Sequence, residues 1–383
     1  MNFSFPDTPD NLQTPCYYYD MALLNETLKT VKQEAGKYGF RVHYAVKANA
    51  NDRILEAIKT AGFGADCVSG NEVKKALDTG FDVKGVVFAG VGKADWEINL
   101  GLDNDIACFN VESIPELEII DELAGKKGKI AKVALRINPN VNANTHHYIT
   151  TGLEENKFGI NQWDLEAVVT VLKQLKNVSL EGIHFHIGSQ IMDLLSFKDL
   201  CLRVNELQKW FIDQQLFPRV VNVGGGLGID YEQPDRNSIP DFENFFKLFD
   251  ECLDLKPGQE LHFELGRSMV GQCGSLLSRV LYVKNGVNTK FAIVDAGMSD
   301  LIRPALYQAY HKIENLSSRE AIEKYDVVGP ICESSDCFGK AVDLPHTKRG
   351  DIIAIRSAGA YGEIMANRYN LRELPKAYYS DRT

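Results

Sequence analysis

RVHYAVKANANDRILEAIKTAGFGADCVSGNE, residues 41–72, holds one full turn of the pattern that decides the fold. A short apolar run, Arg41–Val46, leads into an amphipathic stretch, Asp52–Ala61, and then into a second short run, Gly64–Val68. The runs read as strands and the stretch between them as a helix. Working outward, further short runs fall at Gly85–Ala89, Ile106–Asn110, Lys132–Asn138, Leu180–His186, Arg219–Val223 and Glu260–Leu265. Helix-like segments lie among them at Asn71–Thr79, Ser113–Leu123, Asp164–Leu175, Phe197–Gln214 and Phe242–Asp254, with another, Met21–Tyr38, ahead of the first strand. The expected class is α/β. Eight strands with following helices is the count of a (β/α)8 TIM-type barrel, and eight successive units over about 225 residues favour closure over an open doubly wound sheet.

After Ser268 the texture changes to short Gly-, Val-, Ile- and Tyr-rich runs such as Leu276–Val283, Lys290–Val294, Tyr325–Val328 and Asp351–Ile355. These predict a C-terminal β-rich domain, barrel or sandwich. Thr14–Tyr19 is strand-like and free to pair with it. The expected domains are therefore an N-terminal strand segment (1–20) joining the β domain, a barrel (21–267) and the β domain (268–383).

At 383 residues, 44% hydrophobic and 25% charged, the chain has the composition of a globular protein with ample core. A formal charge of −10 argues against nucleic acid as a partner, because phosphate backbones require clustered Lys and Arg. No stretch approaches the about 20 apolar residues of a membrane span. Residues 1–10 are polar and lack the basic-then-apolar pattern of a secretory signal. Eight cysteines are scattered singly without a CxxC pair, which fits a reducing, cytoplasmic setting.

Barrels of this kind build their sites at the carboxyl ends of the strands. Chemically capable residues collect there: Lys47 after the first strand, Asp66 with Ser69 and Glu72 at the second, and Arg136 on the fifth. His184, His186 and Ser189 follow the sixth, Gly224–Gly226 the seventh, and Glu264, Gly266 and Arg267 the eighth. Three consecutive glycines let backbone N–H groups face an anion, and Arg267 can add a bidentate contact. The plain alternative is a tight turn without a ligand. The run is no dinucleotide fingerprint, since Ile229 stands where that motif needs glycine; nor is Gly90–Lys93 a Walker loop. A lysine just past a strand, like Lys47, is either an ordinary rim residue or a partly desolvated nucleophile. His184 and His186 share a strand face, but no third ligand accompanies them, so no metal site is expected. Arg303 and Tyr307, four apart, share a face if helical.

As an ordered set, YAVKAN (44–49), GADCVSGNE (64–72), NVES (110–113), KFGI (157–160), HFHIGSQ (184–190), GGGLGI (224–229), ELGR (264–267), DAGMSDLIRPALY (295–307), GPICESSD (329–336) and GAYG (359–362) resemble the alanine-racemase-like fold of pyridoxal-phosphate enzymes. Within that fold the chain is most similar to the diaminopimelate decarboxylases, over nearly its whole length. The resemblance implies pyridoxal 5′-phosphate as cofactor and decarboxylation of meso-2,6-diaminopimelate to L-lysine and CO2. It implies that Lys47 forms the Schiff base, that His186 stacks on the ring and that Glu264 pairs with the pyridine nitrogen. Ser189, Gly225, Gly226 and the Gly266–Arg267 backbone hold the phosphate; Asp66, Glu72 and Arg136 support the Schiff-base side. Arg267, Arg303, Tyr307, Glu333 and Tyr361 bind substrate, Tyr361 also near the cofactor, and Cys332 returns a proton to the carbanion. In this family Cys332 and Glu333 come from the neighbouring subunit, which implies a homodimer.

The chemistry agrees with those roles. Loss of CO2 leaves an electron pair on Cα, and a protonated pyridine accepts it, so a carboxylate belongs at the ring nitrogen. Two arginines suit the substrate's far carboxylate and Glu333 its amine. There are two departures: Leu265 stands where the family usually has proline, and the tail after Arg372 is short. Related decarboxylases of ornithine, arginine or carboxynorspermidine, a racemase, and an inactive regulatory binder are the competing readings. A racemase would usually carry arginine rather than Glu264, and an inactive binder tends to lose the lysine or the phosphate grip, both of which are intact here.

Overall fold

The computed structural model describes residues 3–6, 9–141 and 157–381. The parts of the expected domain spans that fall on 1–2, 7–8, 142–156 and 382–383 lie outside the described residues. The chain divides into two compact units. One comprises residues 28–228 and 241–266; the other comprises 1–27, 229–240 and 267–383. These limits differ from the expected 20/21 and 267/268 boundaries chiefly at 229–240, the segment after the glycine run, which groups with the β-rich unit.

The first unit is a closed parallel barrel: β2 (Arg41–Ala45), β3 (Gly64–Cys67), β4 (Val86–Phe88), β5 (Cys108–Val111), β6 (Ala131–Arg136), β7 (Val178–His184), β8 (Val220–Asn222) and β9 (Glu260–Leu265). Closure is the parallel pairing of β2 with β9, in a register that sets Arg41 against His262 and His43 against Glu264. Helices α2 (Asp52–Ala61), α3 (Gly70–Thr79), α4 (Asp95–Asp103), α5 (Ile114–Lys126), α6 (Leu165–Leu172), α7 (Leu194–Asp213) and α8 (Phe242–Cys252) follow the strands in turn.

Local chemistry sets where these helices begin and end. Asn51 caps α2 by accepting from Arg53 N–H, and Gly62 ends it in the left-handed conformation, which costs glycine little. Ser69 caps α3 and Ser113 caps α5. On α8, Phe245, Phe246 and Phe249 all pack on Phe263 of β9, with ring centroids 5.0–5.6 Å apart. That aromatic cluster is buried and locks the eighth strand.

Helix α4 follows the third barrel strand, where the pattern of eight strands with following helices requires one but none of the named helix-like segments lies. Its glycine, Gly101, reads as a breaker, yet the packing demands it, since a Cβ there would come 2.6 Å from the Phe109 ring.

In the second unit an eight-stranded sheet runs in the order β12 (Ile313–Asn315), β15 (Ile352–Ile355), β10 (Gly274–Asn285), β11 (Lys290–Val294), β13 (Ile322–Val328), β14 (Cys337–Pro345). The N-terminal strand β1 (Cys16–Tyr19) pairs antiparallel with β10 and parallel with β16 (Lys376–Tyr379), as its strand-like sequence allowed. Helix α1 (Met21–Gly36) follows β1, and a single-turn helix, α9 (Arg267–Val270), precedes β10.

Candidate active site

At the carboxyl end of β2 the chain turns through Val46–Ala48, and Lys47 Nζ comes 3.2 Å from Asp66 Oδ2 at the end of β3. Asp66 is fully buried and its Oδ1 has no hydrogen-bond partner. Burial, with the nearby Glu264 charge, raises its pKa to about 7, although Lys47 pulls the other way. Glu72, in the first turn of α3, accepts from Val68 N–H at 2.8 Å, and burial raises its carboxyl too. An amine beside such carboxylates can be held as a poised base or nucleophile.

Glu264, on β9, is buried at the centre of the barrel. Its Oε1 accepts from Asn110 Nδ2 (3.1 Å) and Asn222 Nδ2 (2.8 Å), and its Oε2 pairs with His184 Nε2 (2.8 Å). Burial by itself would raise this carboxyl; the charge and hydrogen bond of His184, with Lys47, outweigh that and hold it well below the usual range. An ionised carboxylate has about four lone-pair directions and three are used, so one remains for another N–H donor. His186 lies beyond it, with Nδ1 accepting from Gly225 N–H at 3.2 Å, so Nε2 carries the ring proton. Burial, Arg136 and Lys47 push its pKa well below the ordinary histidine value, leaving a neutral flat ring.

The glycine run leaves no room for side chains. A Cβ on Gly225 would stand 2.0 Å from the Glu264 carbonyl, and one on Gly226, at φ +110°, 2.8 Å from the Gly188 carbonyl. Bare backbone there is the material of an anion cradle. Ser189 lies in the adjoining turn after β7. Gly266 is packed against Ala45 and Ala48.

Arg136 does not reach toward Lys47 by a direct bond. It pairs with buried Glu112 at 2.7 Å and lies 4.8 Å over the Phe158 ring. Glu112 also accepts from Gly90 and Gly159 N–H. Sequence reasoning gave no role to Asn110, Glu112 or Asn222; the signal for the first two was the NVES motif, with polar residues two apart at the end of an apolar run.

The second unit carries its own cluster. Arg267 donates to Tyr231 Oη at 2.6 Å and lies 4.9 Å over the Tyr361 ring. In α10 (Arg303–Tyr307), buried Arg303 lies 5.8 Å from the rings of both Tyr231 and Tyr307 and 6.0 Å from that of Tyr361. Its Nε donates to His311 Nε2 at 3.4 Å, while His311 Nδ1 donates to the Arg356 carbonyl, which fixes the tautomer. Burial, with Arg303 alongside, brings His311 down to about 3, so no third cation forms. Two guanidinium groups share one pair of tyrosine rings, an arrangement suited to a carboxylate. Tyr231 and His311 were not singled out in the sequence. Cys332 and Glu333 are exposed in the loop 329–336; Cys332 N–H donates to Asn370, and Glu333 accepts from Tyr369 Oη at 2.5 Å.

Residues 21–271 match the family model described as pyridoxal-dependent decarboxylase, pyridoxal binding domain. The chain is 63% identical over 371 residues to the diaminopimelate decarboxylase of Bacteroides thetaiotaomicron, covering 97% of this chain and 96% of that one. The chain belongs to the diaminopimelate decarboxylase family. Another family member, from Neisseria meningitidis serogroup B, is 41% identical over 96% of this chain and 88% of its own. The crystal structure of the Helicobacter pylori enzyme complexed with L-lysine superposes with a TM-score of 0.90 at 38% identity, covering 96% of this chain and 92% of that one.

As a member of the diaminopimelate decarboxylase family the chain is a pyridoxal-phosphate-dependent carboxy-lyase, and the barrel with a β-rich second unit is the fold expected for it. The residues present fit the cofactor. The Lys47 amine bonds one oxygen of Asp66, whose other oxygen, Oδ1, has no partner; a dry carboxylate keeps one acceptor direction open, and the glycine run presents bare backbone. Among the described residues no cluster of His, Cys, Asp and Glu could hold a metal ion, and no helix is long and apolar enough to cross a membrane.

Proposed function

We propose that this chain decarboxylates meso-2,6-diaminopimelate to L-lysine and CO2 with the residues assigned as follows. The observation that carries the reading is Glu264: a buried, ionised carboxylate with an acceptor direction to spare, which a decarboxylase needs and a racemase of this fold usually replaces with arginine. When bound, pyridoxal phosphate supplies a protonated ring that takes up the electron pair left at Cα.

Glu264 keeps the proton on the ring nitrogen, and His186, neutral and flat, packs on the ring face. Lys47 is the attachment amine, with Asp66 and Glu72 balancing its charge and the Arg136–Glu112 pair filling the space behind. Gly225, Gly226, Ser189 and the backbone of Gly266 and Arg267 take the phosphate. Arg303 and Arg267 receive the substrate's far carboxylate, with Tyr307 and Tyr361 lining it.

Cys332 delivers a proton to Cα and Glu333 holds the far ammonium, both from a neighbouring subunit of a homodimer; their exposure on one loop supports that reading. Residues 21–267 act as the cofactor-binding barrel, with 1–20 and 268–383 as the β domain, in line with a family match over 21–271. Eight unpaired cysteines support a cytoplasmic setting.

The test is CO2 release by the purified protein with added pyridoxal phosphate on meso-diaminopimelate, ornithine, arginine and carboxynorspermidine. Release from diaminopimelate alone, with an equal amount of lysine, is expected. Preference for another substrate would overturn the roles given to Arg303, Tyr307 and Glu333.

A further inference from the structure

Barrel interiors of this type are filled largely by branched apolar side chains, which makes a buried carboxylate at Glu264 exceptional. Three different strands answer it: β5 through Asn110, β8 through Asn222 and β7 through His184. All three side chains are buried, with relative exposures of 1–2%. Asn222 cannot present its oxygen to Glu264, because that oxygen accepts from Gly224 N–H at 2.9 Å, so its amide N–H faces the carboxylate. A carboxylate cannot donate, so His184 Nε2 carries the hydrogen of the third bond.

We infer that Asn110, Asn222 and His184 are positioning residues for the reaction, a three-strand clamp that fixes the orientation of Glu264 and keeps it ionised while leaving one lone pair open. The inference rests on the reading of Glu264 as the ring-nitrogen partner. Beside His184, whose charge and hydrogen bond lower the Glu264 carboxyl, the two asparagines add donors without adding a second charge. A lysine or arginine in their place would hold the carboxylate ionised but compete for the charge that must face the ring.

The other side of the clamp is a cavity of about 450 Å³ at the amino ends of the strands, to which Asn110 and Asn222 both contribute walls. The two asparagines therefore also separate Glu264 from the cavity beneath it. The other titratable groups around Glu264 do not replace them. His43 on β2, His262 on β9 and His186 after β7 have depressed pKa values, chiefly through burial, and burial keeps the Cys108 thiol on β5 protonated. Lys47 attracts the carboxylate and Asp66 repels it.

The test compares wild type, Asn110→Ala and Asn110→Ala/Asn222→Ala, first without cofactor. Protein labelled with 13C at glutamate carboxyls is titrated by infrared spectroscopy, and the Glu264 band is assigned by its loss in Glu264→Gln. Wild-type Glu264 is expected to stay ionised wherever the protein is folded, and the double variant to protonate within that range. In the holoenzyme, kcat should fall about tenfold to a hundredfold, the cost of losing hydrogen bonds to a charged group, with KM within about twofold and the acid limb of the pH profile moved upward. Should the double variant not fold, Asn110→Ala, which leaves the Asn222–Gly224 contact in place, carries the comparison. Variants whose Glu264 titrates as in wild type would overturn the clamp whatever their activity. A shifted titration together with a fully active Glu264→Gln enzyme would instead overturn the ring-nitrogen reading and the clamp's part in the reaction.

Discussion

Replacing Gly225 by alanine is the sharpest steric experiment the barrel offers. The new Cβ would lie 2.0 Å from the Glu264 carbonyl oxygen, a contact that has to open to at least 3.0 Å, so the two backbones must part by about 1 Å. The Cβ is held rigidly on the Gly225 backbone and the oxygen is itself backbone, so no flexible side chain can yield. The adjacent bond from Glu264 N–H to the Gly224 carbonyl, 2.8 Å long, is strained by the same movement. Overpacking of this kind costs about 1–3 kcal/mol and the weakened hydrogen bond about 1 more, offset by about 0.4–1 from the stiffer unfolded chain. The net loss of about 1–3.6 kcal/mol corresponds, at about 2.1 cal/mol/K per residue over 383 residues, to a melting temperature about 1–4.5 °C lower. Gly92→Ala is the control, because no atom lies within 4 Å of its added Cβ; it should melt within about 1 °C of wild type. Scanning calorimetry of the apoproteins and absorbance titration with pyridoxal phosphate make the comparison. Gly225→Ala should lose both stability and more than about tenfold in cofactor affinity, since the glycine N–H groups move with the backbone. A Gly225→Ala protein that melts and binds like Gly92→Ala would refute the cradle.

Lys47→Ala should abolish both the visible absorbance of the lysine-bound cofactor and turnover; a coloured, active variant would remove Lys47 from its assigned place. Cys332→Ala should leave cofactor absorbance intact while cutting kcat sharply, and unchanged turnover would strike it out as the proton donor. His262 sets a pH dependence: its pKa is brought down to about 2, chiefly by burial, with His43 and Arg41 adding to it. Its unfolded form takes a proton near pH 6.5 while the native form does not, so stability falls as pH drops, by about 2 kcal/mol between pH 6.5 and 5 from this side chain. Asp66 acts in the opposite sense, since its raised pKa makes the native state the better proton binder between about 4 and 7. The stability-versus-pH slope of His262→Asn should therefore be shallower than that of wild type over pH 5–6.5, and an unchanged slope in urea unfolding would contradict it.

What the amino-acid sequence determined by itself were the features that repeat with a period or sit at a strand end. The apolar runs from Arg41 to Leu265 spelled out the eight barrel strands, and the rule that sites form at carboxyl ends then singled out Lys47, Asp66, His186, the glycine run and Glu264 as candidates. Helix α4 escaped the named helix-like segments because Gly101 reads locally as a breaker, and only the Phe109 ring beside it shows why glycine is needed. Tertiary structure alone decided which polar residues meet. Asn110, His184 and Asn222 are separated from Glu264 by 154, 80 and 42 positions, and nothing in local propensity joins them. Barrel closure does, because neighbouring strands in fixed parallel register turn every second side chain into one shared interior. The same holds for Arg136 with Glu112 and, in the second unit, for Tyr231 and His311 around Arg303. Hydrogen-bond partners are chosen by distance in space, and a chain records only distance along itself.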